Sequence, residues 1–507
     1  MKPTIGSIAL NLTLVLATSA LADVPATPSR PNIVYILADD LGYGDVGRLN
    51  PSSKIATPAL DRLAAEGATC TDAHSGSAVC TPTRYGLLTG RYAWRSRLKR
   101  GVLGGYSPPL IEPGRMTVAS LLVEQGYSTI CVGKWHLGMT WPLKGGPPIS
   151  GDGYAAESRV DFARPILDGP TSKGFGQYFG ISASLDMPPY VFIEGDRVVA
   201  PPVARQSKAG YVREGAKDPG FRFDGVLPAL VDRSTRFIAE EAARQPARPF
   251  FLYLPLNAPH TPIAPSAGYK GTSGAGDYGD YVREVDASIG RVLRALEDGK
   301  VAGETLVIVT SDNGPETLAY ARAREYQHYS MGQLRGVKRD AWEGGHRVPF
   351  FARWPGRIPA GSVVEETICH VDLMATVAAI LGVPLPNDAA EDSVDILPAL
   401  LGRKSEKPLR EATVHHTGSG GFAIRQGPWV FIDAPTGDDN GGKNKEPEWL
   451  KEERGYTSHD QPAELYDLAH DLGEHKNLYA DHPEVVGRLK ALLGKYKADG
   501  RSVPARP

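Results

Sequence analysis

The chain has 507 residues, of which 41% are hydrophobic and 22% are charged. These fractions are close to those of ordinary globular proteins, which excludes a fibrous repeat or a largely disordered chain. The formal net charge of −2 leaves no excess of basic groups, so nucleic-acid binding through a basic face is not expected. A chain of this length favours one large domain with a smaller one.

The first residues have the pattern of a signal peptide. Lys2 precedes an apolar run over 5–16, and Ala20-Leu21-Ala22 is a small-x-small cleavage site. An apolar run of this length is too short to cross about 30 Å of hydrocarbon. The alternatives, a first core helix or a membrane anchor, are disfavoured by the three prolines between 25 and 31. We therefore predict a signal peptide over 1–22, a secreted or periplasmic protein, and no membrane span in the mature chain.

Strands and helices alternate along residues 23–400. The continuous apolar run at 33–37 is typical of a strand buried on both faces of a parallel sheet. Further strands are predicted at 128–132, 250–256 and 305–310, and helices at 57–67, 117–125, 227–244 and 279–298. This alternation predicts an α/β fold with a large, mostly parallel central sheet flanked by helices.

The pattern changes after residue 400. Short strands joined by glycine-rich turns are predicted at 413–416, 421–425, 429–432 and 465–468, followed by an amphipathic helix at 484–497. We therefore predict a smaller C-terminal subdomain over 401–507, with antiparallel strands and a terminal helix. The segment 438–455 is polar and charged, which is typical of a surface loop.

Polar side chains follow four of the predicted strands. In an open α/β sheet, ligands bind outside the carboxyl ends of the strands. Each of these residues alone could be a helix cap or a turn former, but four strand ends with such residues predict a site at one edge of the sheet. The residues are Asp39 and Asp40, Lys134 and His136, His260, and Asp312 and Asn313.

The chemical types of these residues fall into two groups. The carboxylates and the Asn313 amide offer only oxygen ligands, which suits Ca²⁺ or Mg²⁺. Zinc would draw on Cys or His, and no Cys/His cluster has metal-ligand spacing in the sequence. Lys134, His136, His260 and Lys338 can instead bind an anionic group and supply a proton, although a lone His is often a core residue and a loop Lys a surface charge. Together the two groups predict a metal-assisted hydrolase of phosphate or sulfate esters.

A motif at 77–91 narrows this prediction. It reads Ser-Ala-Val-Cys-Thr-Pro-Thr-Arg-Tyr-Gly-Leu-Leu-Thr-Gly-Arg, with Cys-x-Pro-x-Arg running from Cys80 to Arg84. This motif resembles the signature of the formylglycine-dependent sulfatases, the arylsulfatase-like branch of the alkaline phosphatase superfamily. Blocks at 32–40, 133–138, 312–314, 343–349 and 464–478 are similar to the other blocks of that family, in the same order. The resemblance covers nearly the whole mature chain and implies an alkaline-phosphatase-like fold for 23–400.

The resemblance implies a modified nucleophile and a metal site. Cys80 would be oxidised to formylglycine by a sulfatase-maturing enzyme, and Arg84 would hold the modified residue in place. With Cys80 consumed, at most one disulfide could form among Cys70, Cys131 and Cys369, and the sequence leaves open whether any does. One Ca²⁺ would be bound by Asp39, Asp40, Asp312, Asn313 and the modified residue 80.

The resemblance also implies roles for the basic residues. Lys134, Lys338 and His260 would contact the sulfate, with His260 as the acid for the leaving alcohol. Asp312 would help to deprotonate the nucleophile, and His136 would assist the release of sulfate. The hydrate of formylglycine has a second hydroxyl group, so sulfate can be eliminated without attack of water on a second ester.

The substrate is less well determined than the chemistry. Bacterial members of similar appearance act on sulfated polysaccharides or glycosaminoglycan fragments, and a galactose- or N-acetylgalactosamine-type sulfate is our hypothesis. Loops at 94–103, 139–175 and 317–333 are expected to shape the pocket. Trp94 and Trp141 could stack on sugar rings or pack in the core, and the basic run at 94–100 could attract a polyanion or be a solvated face.

Two other functions stay open at this point. A phosphodiesterase or phosphonate monoester hydrolase of the same superfamily could share the scaffold. A catalytically inactive carbohydrate-binding protein is the alternative from a different class, but every site position that can be matched carries the expected residue.

Overall fold

The structure is a computed structural model that describes residues 30–506. The predicted signal peptide at 1–22 lies outside the described residues. Among the helices between residues 30 and 506, none combines the length and the apolar character needed to cross a membrane.

The described residues form eighteen β-strands and eleven α-helices. The strands are β1 (Asn32–Asp39), β2 (Ala68–Cys70), β3 (Ala73–His74), β4 (Ser128–Lys134), β5 (Gln177–Ile181), β6 (Ile193–Glu194), β7 (Arg197–Val198), β8 (Ala204–Gln206), β9 (Gly215–Lys217), β10 (Phe250–Pro259), β11 (Thr305–Ser311), β12 (Phe350–Arg353), β13 (Ser362–Val364), β14 (Ile368–Cys369), β15 (Thr413–His416), β16 (Phe422–Gln426), β17 (Trp429–Ile432) and β18 (Glu464–Asp467). The helices are α1 (Pro58–Glu66), α2 (Cys80–Thr89), α3 (Val118–Glu124), α4 (Phe223–Ala242), α5 (Gly276–Asp298), α6 (Leu318–Tyr326), α7 (Glu343–His346), α8 (Leu373–Leu381), α9 (Leu397–Leu400), α10 (Glu448–Arg454) and α11 (Pro483–Asp499).

Ten strands form the central sheet, in the order β13-β2-β12-β11-β1-β10-β4-β5-β6-β7. Strand β1 lies in the middle and pairs in parallel with β10 on one side and β11 on the other. Strands β4 and β5 continue the parallel part, whereas β12, β6 and β7 pair antiparallel to their neighbours. The predicted large, mostly parallel sheet is confirmed.

The central sheet is covered by helices on both faces. Side chains of β1 alternate between two hydrophobic cores, because successive residues of a strand point to opposite faces: Tyr35 and Leu37 lie in one core, and Val34 and Ile36 in the other. Helices α1, α4 and α5 pack over the second core, and α2, α3 and α8 over the first. Full burial of each such side chain contributes roughly 1.5–3 kcal/mol, which explains why a wholly apolar run forms this central strand.

The C-terminal part forms a second, smaller sheet. Strands β15, β16, β17 and β18 pair antiparallel in chain order, and α11 packs on β16 and β17 through buried Leu489 and Leu493. The predicted antiparallel sheet and terminal helix are confirmed. The surface loop predicted at 438–455 is wrong in part, because this segment contains α10 and because Glu446 is buried in a salt bridge with Arg335 at 2.8 Å.

All four cysteines are buried free thiols. Cys70 and Cys131 lie in strands of the central sheet, and Cys369 lies in β14. Burial raises the pKa of the Cys131 and Cys369 thiols above the usual range. These thiols are therefore protonated and pack as small apolar groups.

Helix α5 also caps helix α1. The Asp286 carboxylate accepts hydrogen bonds from the backbone amides of Ala59 at 3.0 Å and Leu60 at 2.9 Å, in the first turn of α1. Asp286 is 2% exposed. Burial raises the pKa of this carboxyl group to about 6, against the lowering effect of the two amides.

We expect the stability difference between the wild type and Asp286→Asn to depend on pH. The folded-state pKa is about 6, whereas an aspartate in an unfolded chain has a pKa of about 3.9. The stability that proton binding contributes is therefore present at low pH and is lost as the pH rises through 6. Between about pH 4.5 and about pH 7, the free energy of unfolding of the wild type should fall by about 2 kcal/mol relative to that of Asp286→Asn. Chemical denaturation of both proteins at both pH values measures this change. An equal difference at both pH values would contradict the raised pKa.

Candidate active site

The predicted site residues meet at the carboxyl edge of four adjacent strands, β4, β10, β1 and β11. Asp39 is the last residue of β1, Lys134 is the last residue of β4, and His260 directly follows β10. Asp312 and Asn313 follow β11. Because these strands are parallel neighbours, their ends deliver the side chains to one place.

Cys80 reaches this edge from the first position of helix α2. Val79 is extended and Pro82 lies in the first helical turn, where its missing amide hydrogen costs nothing. Gly90 ends the helix in the left-handed conformation with φ of 65°. This conformation is unfavourable for a residue that has a side chain. Arg84 lies one turn after Cys80 and therefore on the same face of the helix.

The oxygen-bearing residues form one buried cluster. The Asn313 amide donates to Asp40 Oδ1 at 2.7 Å, and the Asp40 backbone amide donates to Asp312 Oδ1 at 3.2 Å. Asp40 adopts a φ of 67°, an uncommon value for a residue with a side chain that is often found at functional sites. Asp39 Oδ1 and Asn313 Oδ1 are buried and have no hydrogen-bond partner within residues 30–506.

These unpartnered oxygens provide a test of metal fit. Buried polar atoms are normally satisfied, so two orphaned oxygens in a carboxylate cluster indicate room for another partner. Ligand atoms of Asp39, Asp40 and His260 also lie within 4.8 Å of one another. Hard divalent cations prefer carboxylate and amide oxygens, so this donor set fits such an ion.

Each buried carboxylate also has its own cationic partner. Lys134 Nζ lies 2.6 Å from Asp39 Oδ2, and Lys338 Nζ lies 2.7 Å from Asp40 Oδ1. Arg84 donates to Asp312 Oδ2 through Nη2 at 2.7 Å and through Nε at 3.1 Å, and a third N–H group donates to the Lys134 carbonyl at 2.9 Å. The guanidinium group thus joins the first turns of α2 to the end of β4.

The pKa values of the carboxyl groups diverge within the cluster. Burial raises the pKa of Asp39, but the charges of Lys134 and its cationic neighbours outweigh burial and hold that pKa well below the usual range. Burial and the adjacent Asp39 raise the pKa of Asp312 to about 6, against the opposing charge of Arg84. Asp312 is therefore the carboxyl group of the cluster whose negative charge is least favoured by its surroundings.

The unmodified Cys80 thiol is a poor nucleophile in this environment. Cys80 is 2% exposed, and burial raises the pKa of its thiol, although Lys134 and Lys338 act in the opposite direction. A thiol needs to ionise before it attacks. The unmodified thiol is therefore protonated at neutral pH.

The two predicted histidines lie in different surroundings. His260 lines the cavity above Cys80; its Nδ1 lies 2.6 Å from the Thr261 carbonyl oxygen and its Nε2 lies 3.7 Å from Asp40 Oδ2. His136 is fully buried, with Nε2 2.7 Å from the Leu103 carbonyl oxygen and no partner for Nδ1 within residues 30–506. Burial and the charge of Lys134 lower the pKa of His136. Its imidazole is therefore neutral.

A cavity of about 520 Å³ opens over Cys80, His260 and Lys338. The predicted loops at 94–103 and 317–333 contribute Gly101, Val102 and Thr317 to its wall. The predicted contribution of 139–175 is wrong, because no residue of that segment lines this cavity. Sequence reasoning missed the remaining wall residues, which include Ser184, Asp186, Met187, Tyr211, Arg213, Glu316, Arg339, Gly418, Ser419, Asp439 and Asn444.

Of the two alternatives for the tryptophans, the structure supports packing in the core over stacking on sugar rings. Trp94 is 7% exposed and packs with Tyr92, and Trp141 is 3% exposed and donates to the Gly105 carbonyl at 3.0 Å. Both are core residues. In the basic run at 94–100, the side chain of Arg95 is likewise buried, in a bidentate pair with Asp392.

A second buried cluster lies outside the cavity. The sequence shows no Cys/His metal spacing, yet the fold brings His74, His346 and His415 together. The rings of His346 and His415 stack at 3.7 Å, His74 Nδ1 lies 3.1 Å from His346 Nδ1, and Arg425 lies 3.1 Å from His74 Nε2. The guanidinium group and the stacked rings disfavour a bound cation, so this cluster instead joins β3 and α7 to the smaller C-terminal sheet.

The fold and the site define the class of protein: a hydrolase whose carboxylate cluster fits a divalent cation and whose basic groups suit a tetrahedral oxyanion ester. The family described as Sulfatase matches residues 31–383. The chain therefore belongs to the sulfatase family, and its activity is the hydrolysis of sulfate esters.

Known relatives support this assignment along most of the chain. An N-acetylgalactosamine-6-O-sulfatase from Bacteroides thetaiotaomicron is 34% identical, and the match covers 92% of this chain and 93% of the relative. Human arylsulfatase A is 35% identical, and the match covers 93% of this chain and 89% of the relative. A solved structure from work on the metabolism of multiple glycosaminoglycans by B. thetaiotaomicron has a TM-score of 0.78 and 32% identity, and the match covers 93% of this chain and 100% of that one. The predicted family and fold class are confirmed.

We expect Arg84→Met to lower the free energy of unfolding by about 3 kcal/mol, because it leaves the buried Asp312 without its cation. Equilibrium urea denaturation measures this change. The control Lys490→Met alters an exposed residue of α11 and should change stability by less than about 0.5 kcal/mol. If Arg84→Met were no more destabilising than the control, the pair would not stabilise the site.

Proposed function

We propose that this sulfatase removes sulfate from sulfated carbohydrates, in particular 6-sulfate esters of N-acetylgalactosamine in polysaccharide or glycosaminoglycan fragments. The observation that carries the proposal is the position of Cys80, at a helix N-terminus inside a cavity that is also lined by His260 and Lys338. The 34% identity to an N-acetylgalactosamine-6-O-sulfatase over 92% of the chain supports the choice of sugar.

The proposed nucleophile is formylglycine at position 80, whose hydrated aldehyde supplies an attacking oxygen and a second hydroxyl. Arg84 would hold the residue, since its guanidinium group lies on the same helical face. Asp312, 2.7 Å from Arg84, would accept the proton of the attacking hydroxyl. His136 would assist the release of sulfate.

The proposed metal is one Ca²⁺, held by Asp39, Asp40, Asp312 and Asn313 with an oxygen of the modified residue 80. It would act as a Lewis acid on a sulfate oxygen. Calcium suits a site built only from oxygen donors, and the two orphaned oxygens of Asp39 and Asn313 support it.

The leaving group needs a proton, and we propose that His260 gives it. Its Nδ1 lies within hydrogen-bond distance of the Thr261 carbonyl, so Nδ1 carries a proton, and a doubly protonated ring can donate from Nε2. Lys338 and Lys134 would bind the sulfate oxygens. The sulfur–oxygen bond to the sugar breaks, the sugar oxygen takes the proton, and water is consumed overall.

We further propose a secreted or periplasmic protein with a cleaved signal peptide at 1–22, a catalytic domain at 23–400 and a subdomain at 401–507. The maturing enzyme would act before the chain has folded, because Cys80 is 2% exposed in the folded protein. Gly418, Ser419 and Asp439 of the subdomain line the cavity, which supports its part in substrate binding.

The proposed function is tested by comparing kcat/KM for several esters, using protein made with a maturing enzyme. The 6-sulfate of N-acetylgalactosamine should be preferred to the 4-sulfate by about 10²-fold, since misplaced hydroxyl groups leave site residues unpaired. A sulfate ester should also be preferred to a phosphate diester with the same leaving group. The reverse preference would favour the phosphodiesterase alternative, and no turnover of any ester would favour the binding protein.

Peptide mass spectrometry tests the proposed nucleophile directly. In active protein, the peptide containing Cys80 should lose one sulfur and two hydrogens and gain one oxygen. Cys80→Ala should lower turnover by on the order of 10⁴-fold or more. Full activity with an unmodified thiol would rule out the proposed nucleophile.

Removal of metal gives an independent test of the calcium site. Protein treated with chelator should gain thermal stability when Ca²⁺ is added, by about 2.7 kcal/mol at a concentration 100 times the Kd. Cys80→Ala should keep most of this gain, because the carboxylates supply most ligands, whereas Asp39→Asn should lose it. Asp499→Asn on α11 is the matched control. A calcium effect that survived Asp39→Asn would place the ion elsewhere.

A further inference from the structure

The cavity over Cys80 adjoins a second cavity of about 500 Å³. Tyr211, Thr317 and Asn444 contribute to the walls of both cavities, and we call the two together the groove. The second cavity lies between helix α6 and the segment that leads into α10. We call this second cavity the extension. Sites that hold a small organic ligand usually have about 300–1,000 Å³, so the groove has room for more than the reacting sugar.

The extension has an excess of positive charge. Arg324, Lys443 and Lys445 line it, against one carboxylate from Glu325. All three cations are exposed, and none of them forms a salt bridge with another residue between 30 and 506. In the catalytic cavity, by contrast, Lys338 is already paired with a carboxylate. Cations without a partner along one groove favour an anionic ligand.

The extension also has the aromatic surface that sugars use. Tyr211 is 58% exposed at the junction of the two cavities, and Trp449 is half-buried in the wall. Tyr320 is 7% exposed, lines the extension, and has a hydroxyl group without a hydrogen-bond partner in the described part of the chain. Aromatic side chains provide an apolar face together with a polar tip, which suits a carbohydrate.

Buried contacts hold the backbone next to Lys445 in place. Glu446, next to Lys445, is buried and pairs with Arg335 at 2.8 Å, and its backbone amide donates to Asp438 Oδ2 at 3.0 Å. Helix α10 begins two residues later. A held backbone reduces the entropy that the lysines lose on binding.

We propose that the extension binds a second anionic group, a carboxylate or a sulfate, on the sugar next to the one that loses its sulfate. The inference rests on the proposed function and deepens it: the preferred substrate is an anionic oligosaccharide, not a singly sulfated monosaccharide. The basic run at 94–100, which sequence analysis offered for a polyanion, is not this surface. The extension draws instead on Arg324, Lys443 and Lys445.

The test compares Lys443→Ala/Lys445→Ala with the wild type on four 6-sulfated probes: the monosaccharide, and three disaccharides whose second sugar is neutral, carries a carboxylate, or carries a sulfate. The ratio of kcat/KM for an anionic disaccharide to that for the monosaccharide should fall about three- to tenfold in the variant, because exposed ion pairs contribute modestly each. The neutral disaccharide should not share this fall. Comparison of the carboxylated with the sulfated disaccharide identifies whether the extension binds a carboxylate or a sulfate.

Lys490→Ala/Lys495→Ala is the matched control, since it removes two exposed lysines of α11 that lie outside both cavities. Its ratio should equal that of the wild type. The fall in the test variant should also disappear at about 1 M salt, where the screening length is about 3 Å. An unchanged ratio in the test variant, or the same fall in the control, would overturn the proposal.

A binding measurement separates this inference from the proposed function. Titration of the carboxylated and the disulfated disaccharides into Cys80→Ala protein reports binding without turnover. Weaker binding when the two lysines are also replaced supports the extension even if no sulfate ester is hydrolysed by the wild type. Equal binding with and without the lysines would overturn the extension even if the 6-sulfatase activity is found.

Discussion

The pairing of buried charges at the carboxyl edge of the central sheet is the constraint on which this structure depends. Three carboxylates lie together out of contact with water, and an unpaired buried charge costs several kcal/mol. Their partners come from three separate elements: Arg84 from α2, Lys134 from the end of β4, and Lys338 from the loop before α7. No single element can form the cluster alone. Helix, sheet and loop therefore have to assemble together, and this requirement determines the position of the first residue of α2.

The same pairs connect stability to the proposed chemistry. Lys134 and Lys338 are bonded to Asp39 and Asp40, the carboxylates proposed as metal ligands. On this assignment, a cation that takes over the carboxylates leaves the ammonium groups free to face a sulfate. The folded protein would thus hold its anion-binding groups in place through the very residues that bind the metal. A site arranged in this way needs little reorganisation when substrate arrives, which is a main source of catalytic power.

Much of the fold followed from local patterns. The apolar run of β1 predicted a strand, and the helical spacing of apolar residues in α1 predicted a helix. A strand that is buried on both faces is apolar throughout, whereas a helix that is buried on one face has apolar residues at helical spacing. The strand-end rule also placed Asp39, Lys134 and Asp312 at one edge, as the structure has them. The segment 438–455 was harder to predict. Its polar residues resemble a loop, but Arg335, more than a hundred residues away, turns Glu446 into a buried ion-pair partner.

By itself, the sequence determined the class of fold, the sulfatase family, the polar residues at the strand ends and the motif that contains Cys80. These properties can be predicted from short segments, because the local order of apolar and polar residues or a short motif indicates them. Only the tertiary structure decided which groups line the cavity, that Trp94 is a core residue, and that Tyr211 joins the cavity to the basic extension. The physical reason is distance along the chain. The cavity walls are built from residues hundreds of positions apart, so they depend on long-range packing, which no local periodicity in the sequence indicates.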